Sequence, residues 1–403
     1  MISVLIYIFF FGEWFINNKR KYGLNSSTLL IGTYLASALA LLFLIVKEYN
    51  NIYSFEKMDI IATLYHIIIL WLFMRPIIDQ GNLLDIDKLK IPKKQNTFIS
   101  WTFVIIGLLT IILSIPGIIS VLSFDTFEGA RQEAIEGDEQ KGFYSYGLIG
   151  YIATIGMITP MFAIFMAFYR LFCLRKADIL FYLLILTSLS GAIMNLTIAG
   201  RDGIVRWIMF VVFNIALFKK QFSIKLIPKF LLIIFTIIVA FTLVFFALIT
   251  FSRFGDGNDA IMSIIDYLGM SFFWFSDVFR GVGTDYLFGF NSIFPIIPGG
   301  MNSLDIAKLD LDFSTMTFHT FAGSFVLYVG TIFTAIMAVV FYLLYKLNHS
   351  VIRNRINNYF AYMIFYQIEY IGVFYFVYAL LAWQCSFVII YLLSRRFYLI
   401  NKR

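Results

Sequence analysis

The segment AIMSIIDYLGMSFFWFSDVF, Ala260 to Phe279, decides the architecture of this chain. It is long and apolar enough to cross a bilayer, whose hydrocarbon core of ~30 Å asks about 20 apolar residues of a helix. Yet it carries Asp266 and Asp277, and carboxylates are costly inside hydrocarbon. Inserting it would also turn the later basic clusters to the opposite side of the membrane, or force another span to be dropped. Ile261, Ile264, Ile265, Leu268, Phe272, Phe275 and Phe279 recur at helical spacing. The segment therefore reads as an amphipathic helix, with one face resting on the outer interface and Asp266 and Asp277 turned to the surrounding loop.

That reading makes residues 252–322 one large loop between two long apolar runs. It gathers Arg253, Asp256, Asp259, Asp266, Asp277, Arg280, Asp285, Lys308 and His319 in a chain that is only 14% charged. Turns at Gly281-Val282-Gly283 and Gly299-Gly300, with the segment Phe294 to Pro298, mark an ordered surface rather than a slack connector.

Away from this loop the chain is a membrane scaffold. With 61% hydrophobic and 19% aromatic residues and a mean hydropathy of +0.85, it has too little polar surface to be a water-soluble globule. No ten-residue alternating segments suggest a β-barrel. The expected fold is all-α and polytopic, with about eleven transmembrane helices at 2–16, 27–46, 60–78, 97–122, 147–170, 179–199, 203–218, 228–251, 323–345, 358–373 and 375–393. The first run is followed by Lys19-Arg20-Lys21, the reverse of a secretory signal, and reads as a retained helix. The stretch 358–393 is either two short helices or one long tilted one, and Gln367 and Glu369 near its centre should face protein or water.

Every second loop is basic: Lys19 to Lys21, Lys88 to Lys94, Arg170 to Lys176, Lys219 to Lys229, Lys346 to Arg355, and Arg395 to Arg403. The positive-inside rule then places the N-terminus outside and the C-terminus in the cytoplasm. The chain reads as a single membrane domain, 1–403, with a smaller outer loop at 123–146 and the large one at 252–322. The net charge of +7 lies along one side of the membrane and does not indicate nucleic acid. Cys173 and Cys385 offer no disulfide framework. No metal cluster, Walker loop, dinucleotide fingerprint or HExxH helix is present, so no metal or cofactor is expected.

Four arginines fall on the outer side: Arg131, Arg201, Arg253 and Arg280. Each alone is most simply a headgroup contact or a partner for a carboxylate such as Asp202 or Asp256. Arg201, Arg253 and Arg280 together, against the positive-inside bias, favour an anionic ligand, because a guanidinium binds phosphate oxygens in pairs. His319, in Met316-Thr317-Phe318-His319-Thr320-Phe321-Ala322, is one of three histidines. Its ordinary titration range suits a general base. The plainer alternative is a structural histidine between aromatics, with Thr317 or Thr320 as a helix cap. His66, inside a span, and His349, in a cytoplasmic loop, are the lesser candidates.

With these residues in view, the chain resembles the Wzy-type oligosaccharide repeat-unit polymerases of bacterial O-antigen and capsule assembly. The likeness lies in many aromatic-rich helices, a small outer loop before a large one, Ala199-Gly200-Arg201-Asp202-Gly203 between them, and His319-Thr320-Phe321-Ala322-Gly323 opening an aromatic helix. Arg131 and Gly142 have the spacing of an arginine followed after ten residues by glycine. Arg253 and Arg280 do not repeat it, so a paired-loop scheme is not carried over.

The resemblance implies a GT-C-like glycosyltransferase bundle in the bacterial inner membrane, acting at the periplasmic face. Its two substrates would be oligosaccharides on undecaprenyl pyrophosphate, joined without nucleotide sugar or metal. A flippase and a chain-length regulator would be its partners. It implies that Arg253 and Arg280 hold a pyrophosphate, that Arg201 supports it or the second substrate, and that His319 activates the acceptor hydroxyl. Arg131, Trp274, Asp277 and Asp285 would contact substrate, with Trp274 and Tyr286 to Phe294 as platforms for sugar rings. An O-antigen ligase differs only in acceptor. A flippase for the same lipid-linked oligosaccharides is the alternative from another class, for which ionisable residues near mid-membrane would be the mark.

Overall fold

The computed structural model describes residues 1–49, 52–123, 155–197, 200, 202–227, 257–282, 289, 293–294, 319–348, 355–376 and 381–400. Among these residues every regular element is helical, and the sole extended pairing is an isolated parallel bridge between Thr320 and Tyr375. The helices are α1 (Ile2–Tyr22), α2 (Ser26–Val46), α3 (Ile60–Leu83), α4 (Lys93–Leu122), α5 (Pro160–Phe168), α6 (Ile179–Thr187), α7 (Ser190–Leu196), α8 (Asp202–Leu217), α9 (Gly257–Val282), α10 (Thr320–Asn348), α11 (Ile356–Ile371) and α12 (Leu381–Ile400).

Local chemistry sets several starts. Asn25 caps α2 by accepting from the Thr28 N–H, Asp59 caps α3 through the Ile61 N–H, and Asp178 caps α6 through the Phe181 N–H. Pro160 opens α5, where its missing N–H costs nothing. Five segments among the described residues are long and apolar enough to cross a membrane: 26–46, 60–83, 93–121, 179–196 and 320–347. The chain is a multi-pass helical membrane protein.

Several expected spans differ in detail. The 179–199 span is two helices that meet at Ser188-Leu189. The 147–170 span is described only from residue 155, and a π-helical turn at Tyr169–Cys173 ends it. The 358–393 stretch is two helices, because α11 ends at Ile371 and residues 372–374 turn. The expected span 228–251 and the loop 123–146, beyond Ser123, lie outside the described residues. Gly330 interrupts α10 with φ 78 and ψ 172, a conformation open essentially to glycine alone.

The chain divides into two units. Unit 1 comprises Met1–Leu84, Ile261–Arg353 and Ala361–Gln384; unit 2 comprises Asp85–Ala260, Asn354–Phe360 and Cys385–Arg403. In unit 1, paired contacts fix helix directions. Tyr7 meets His66 and Asn18 meets Asn82, so α1 and α3 run parallel. Phe11 packs on Tyr34 while Asn18 bonds Thr28, so α2 runs the other way. The Tyr65 hydroxyl donates to Thr331 O, and Tyr345 bonds Gln80, so α10 follows α3. Ser26 bonds Tyr362, and the Tyr34 hydroxyl donates to Glu369 O, so α11 follows α2. Lys19, Arg20, Lys21 and Lys346 thereby gather at one end of the unit, opposite Glu48, Glu56 and Asp59.

In unit 2, α4 and the α6–α7 pair approach closely. A Cβ on Gly107 would lie 2.5 Å from Thr187 Cβ, and one on Gly117 2.9 Å from Thr197 Cβ. The two contacts advance together along both segments, so these helices are also parallel. The core is aromatic, with Phe162 against Phe103 and Phe360, and Phe165 against Phe218 and Phe360. Arg170 is buried, where it donates to Asn96 Oδ1 at 2.6 Å and pairs with Asp178.

Candidate functional site

The segment 260–279 lies within one continuous helix, α9. Among the described residues it packs against α1, α2, α3 and the connection before α3. A Cβ on Gly269 would lie 2.7 Å from the Leu41 nitrogen in α2. Phe272 is fully buried among Tyr7, Phe11 and Tyr34, and Phe275 stacks on His66 with ring centres 3.7 Å apart. Asp266 bonds Tyr53, and Arg280 donates to Lys57 O at 2.7 Å, so two points on α9 return to the connection before α3. Asp266 and Arg280 of α9 thus both return to the connection before α3, while Phe272 between them packs against the middle of α1 and α2. Desolvation pushes the Asp266 carboxyl up from its ordinary value, against the opposing effect of the Tyr53 hydrogen bond.

Beneath this helix is a buried polar chain. His66 is completely buried. Its Nδ1 shares a 2.7 Å hydrogen bond with the Tyr7 hydroxyl and its Nε2 a 2.9 Å bond with Thr320 Oγ1. Thr320 follows His319 and has φ 59, unusual for a β-branched residue. Four further bonds hold it there. Its N–H donates to Phe374 O at 2.9 Å, and the next N–H, of Phe321, donates to Gly372 O at 2.7 Å. Its Oγ1 accepts from the Gly323 N–H, and its carbonyl accepts from the Ser324 hydroxyl.

His319 itself is 4% exposed, and neither ring nitrogen has a hydrogen-bond partner among the described residues. Burial pushes its imidazole down to about 4, so at neutral pH it is uncharged and has a lone pair to offer. Such buried, unpaired polar groups are rare and call for an explanation. The aromatic packing around it is close: a Cβ on Gly323 would lie 3.0 Å from His319 Cβ and 3.2 Å from a Phe275 ring carbon.

Of the residues expected at the site, the structure brings His319, Arg280, Trp274 and Asp277 to this part of unit 1. Arg280 is exposed at the last turn of α9, about 7.5 Å along the helix from Phe275. Trp274 and Asp277 are half-buried, and Trp274 is edge-on to Phe273. Arg131, Arg201, Arg253, Asp285 and Thr317 lie outside the described residues. So does most of Tyr286 to Phe294, from which Gly289, Ile293 and a partly exposed Phe294 are described. The cap expectation is met at Thr320, whose hydroxyl accepts from Gly323. In unit 2, Asp202 pairs with Arg206 in the first turns of α8, beside a recess lined by Asn195 and Trp207.

Two groups carry more weight than their sequence suggested. His66 is the hub of the polar chain, and the available signal was a histidine inside an apolar run. Glu369 is 2% exposed with Oε2 unpartnered among the described residues, and Gln367 is buried likewise, as expected of polar groups that avoid lipid. No group of three or more metal-ligating side chains occurs among the described residues. Comparison with protein-family models, curated proteins and solved structures finds no match to this chain.

Proposed function

We propose that the chain is an oligosaccharide repeat-unit polymerase of the Wzy type, working at the part of unit 1 that α9 packs against, with that part facing the periplasm. One observation carries the reading: His319 is uncharged and buried, with neither ring nitrogen bonded among the described residues, beside the helix that bears Arg280. The reaction supplies the missing partner as the hydroxyl of an acceptor sugar. That oxygen bonds to the anomeric carbon of the donor while the bond from this carbon to the pyrophosphate oxygen breaks. The hydroxyl proton passes to His319, and the electron pair leaves with undecaprenyl pyrophosphate.

In this scheme Arg280 and Arg253 hold the departing pyrophosphate, and Arg201 supports it or the second substrate. Fixed cations in a water-poor site stabilise the charge that develops on the leaving group, so no metal is required. The charge raises the basicity of the adjacent imidazole and suits it to receive the proton. Trp274, half-buried, offers a sugar its ring, and Arg131, Asp277 and Asp285 meet the hydroxyls. The site faces away from cytosolic nucleotide sugars, which fits donors that arrive already linked to lipid.

Burial of Glu369 within α11 favours a second reading, because ionisable groups inside membrane helices mark transport paths. That reading is a flippase for the same lipid-linked oligosaccharides. Incubating the purified protein in proteoliposomes with lipid-linked repeat units separates the cases. Ladders of longer glycans support the polymerase, and translocation without new bonds supports the flippase. Transfer only to a lipid A core would replace the polymerase by a ligase.

A further inference from the structure

We propose that His66 is a positioning residue that sets the orientation of the His319 ring through Thr320. The inference deepens the reading above and rests on it for its catalytic meaning, but its geometry stands alone. His66 and Thr320 are 254 residues apart, yet His66 Nε2 and Thr320 Oγ1 share a fully buried 2.9 Å hydrogen bond. The other ring nitrogen is anchored by Tyr7, and the ring face by Phe275. A histidine clamped on two sides has little freedom, so it passes its position to whatever its remaining edge holds. What it holds is a threonine in the left-handed region.

The direction of the His319 side chain depends on that threonine. Thr320 at φ 59 fixes how the peptide between the two residues is turned. A β-branched residue adopts such a backbone only where its surroundings over-determine it. Its N–H is held by Phe374 O, its carbonyl by Ser324, and its hydroxyl by His66 and Gly323. Of these, the His66 bond is the side-chain anchor that comes from outside the 319–376 region. Without it, Thr320 could relax toward an ordinary backbone and carry the His319 ring out of its buried place. Among the described residues no hydrogen bond joins His66 to either nitrogen of His319, which distinguishes its role from that of a direct relay.

The test uses the full-length protein in nanodiscs with isotope-labelled histidine. The chain has three histidines, so the His319 ring signals are assignable by comparison with His319→Gln. His66→Gln and Thr320→Val should each move those signals, whereas Thr320→Ser, which keeps the hydroxyl, should leave them in place. Repacking around a changed His66 could mimic the effect, so the Val and Ser pair at Thr320 is the decisive comparison. In polymerisation assays, His66→Gln and Thr320→Val should each lower turnover about 10- to 100-fold, with the double variant no worse than either alone. Adding His66→Gln to His319→Gln should cost nothing further. Unmoved His319 signals in folded Thr320→Val would overturn the inference, as would an added loss in the His319→Gln background. A wild-type protein that forms no glycan ladder would instead remove the polymerase reading, leaving the spectra to decide the positioning of His319.

Discussion

A histidine buried without a bond to either nitrogen is costly to keep, since the desolvation of each polar group goes unrepaid. In this protein the cost falls at His319, at the start of α10 and under α9. Replacing it with glutamine removes the base while keeping much of the volume. Single-turnover polymerisation by His319→Gln should fall about 10²- to 10⁴-fold, with substrate binding and the amount of folded protein nearly unchanged. Arg280→Lys retains the charge but loses the two-pronged geometry, and should reduce turnover about 10-fold or more in the same assay. Acid should expose the histidine in a second way. Its folded value near 4 lies below the ordinary 6.5, so between these limits the unfolded chain binds a proton that the folded chain refuses. The contribution of His319 to stability should therefore decline as pH falls from 6.5 to 4, by on the order of 3 kcal/mol. Melting curves across this range should show a shallower decline for His319→Gln, and parallel curves would contradict the assignment. The place of His319 at the edge of a loop dense with charge was visible in the sequence. Its dependence on His66 was not, because 254 residues of chain separate the partners.

At the level of elements, small residues and one glycine-only bend decide how the helices meet. Gly107 on α4 admits Thr187 so closely that alanine would place its Cβ 2.5 Å from that side chain. Close approach of this kind drives association between helices where no hydrophobic force separates protein from lipid. Gly107→Ala should lower stability by about 1–3 kcal/mol, read as a lower melting temperature in detergent, with partial recovery on adding Thr187→Gly. Gly330 poses a different constraint, since its backbone falls where only glycine is at ease. Gly330→Ala should either straighten α10 or destabilise it, and a thermal melt equal to wild type would show that the bend is tolerated by other residues. Neither feature could be read from hydropathy, which sees a run of apolar residues and not its interruptions. The amphipathic character of α9 was legible, because Phe272 and Phe275 fall on one helical face while Asp266 meets the connection before α3. The break after Thr187 was missed, and the one after Ile371 left open, because the glycines at 191 and 372 stand in long apolar runs where a glycine need not end a helix.

Across the whole molecule, alternation of basic clusters along the sequence anticipated how helix ends sort within unit 1. The parallel and antiparallel pairings place Lys19, Arg20, Lys21 and Lys346 together without any reference to a membrane. The proposed orientation makes that end cytoplasmic. In a variant lacking Cys173 and Cys385, a cysteine at Glu56 should react with an impermeant thiol reagent in intact spheroplasts, whereas one at Lys21 or Lys220 should react only after lysis. The opposite pattern would invert the protein and move the proposed chemistry to the cytoplasm. Sorting of helix ends is legible because charge is a local property of sequence; the pairing of Thr320 with residues 372–374 is not, because it depends on where two distant turns come to rest. That pairing has a consequence for biogenesis. A nascent chain whose insertion has reached α10 already has both buried histidines, but it lacks the Phe374 and Gly372 carbonyls that hold the Thr320-Phe321 backbone. The proposed centre can be assembled only after the turn following α11 has left the ribosome, so on that reading a half-made protein is silent in a membrane already supplied with substrate.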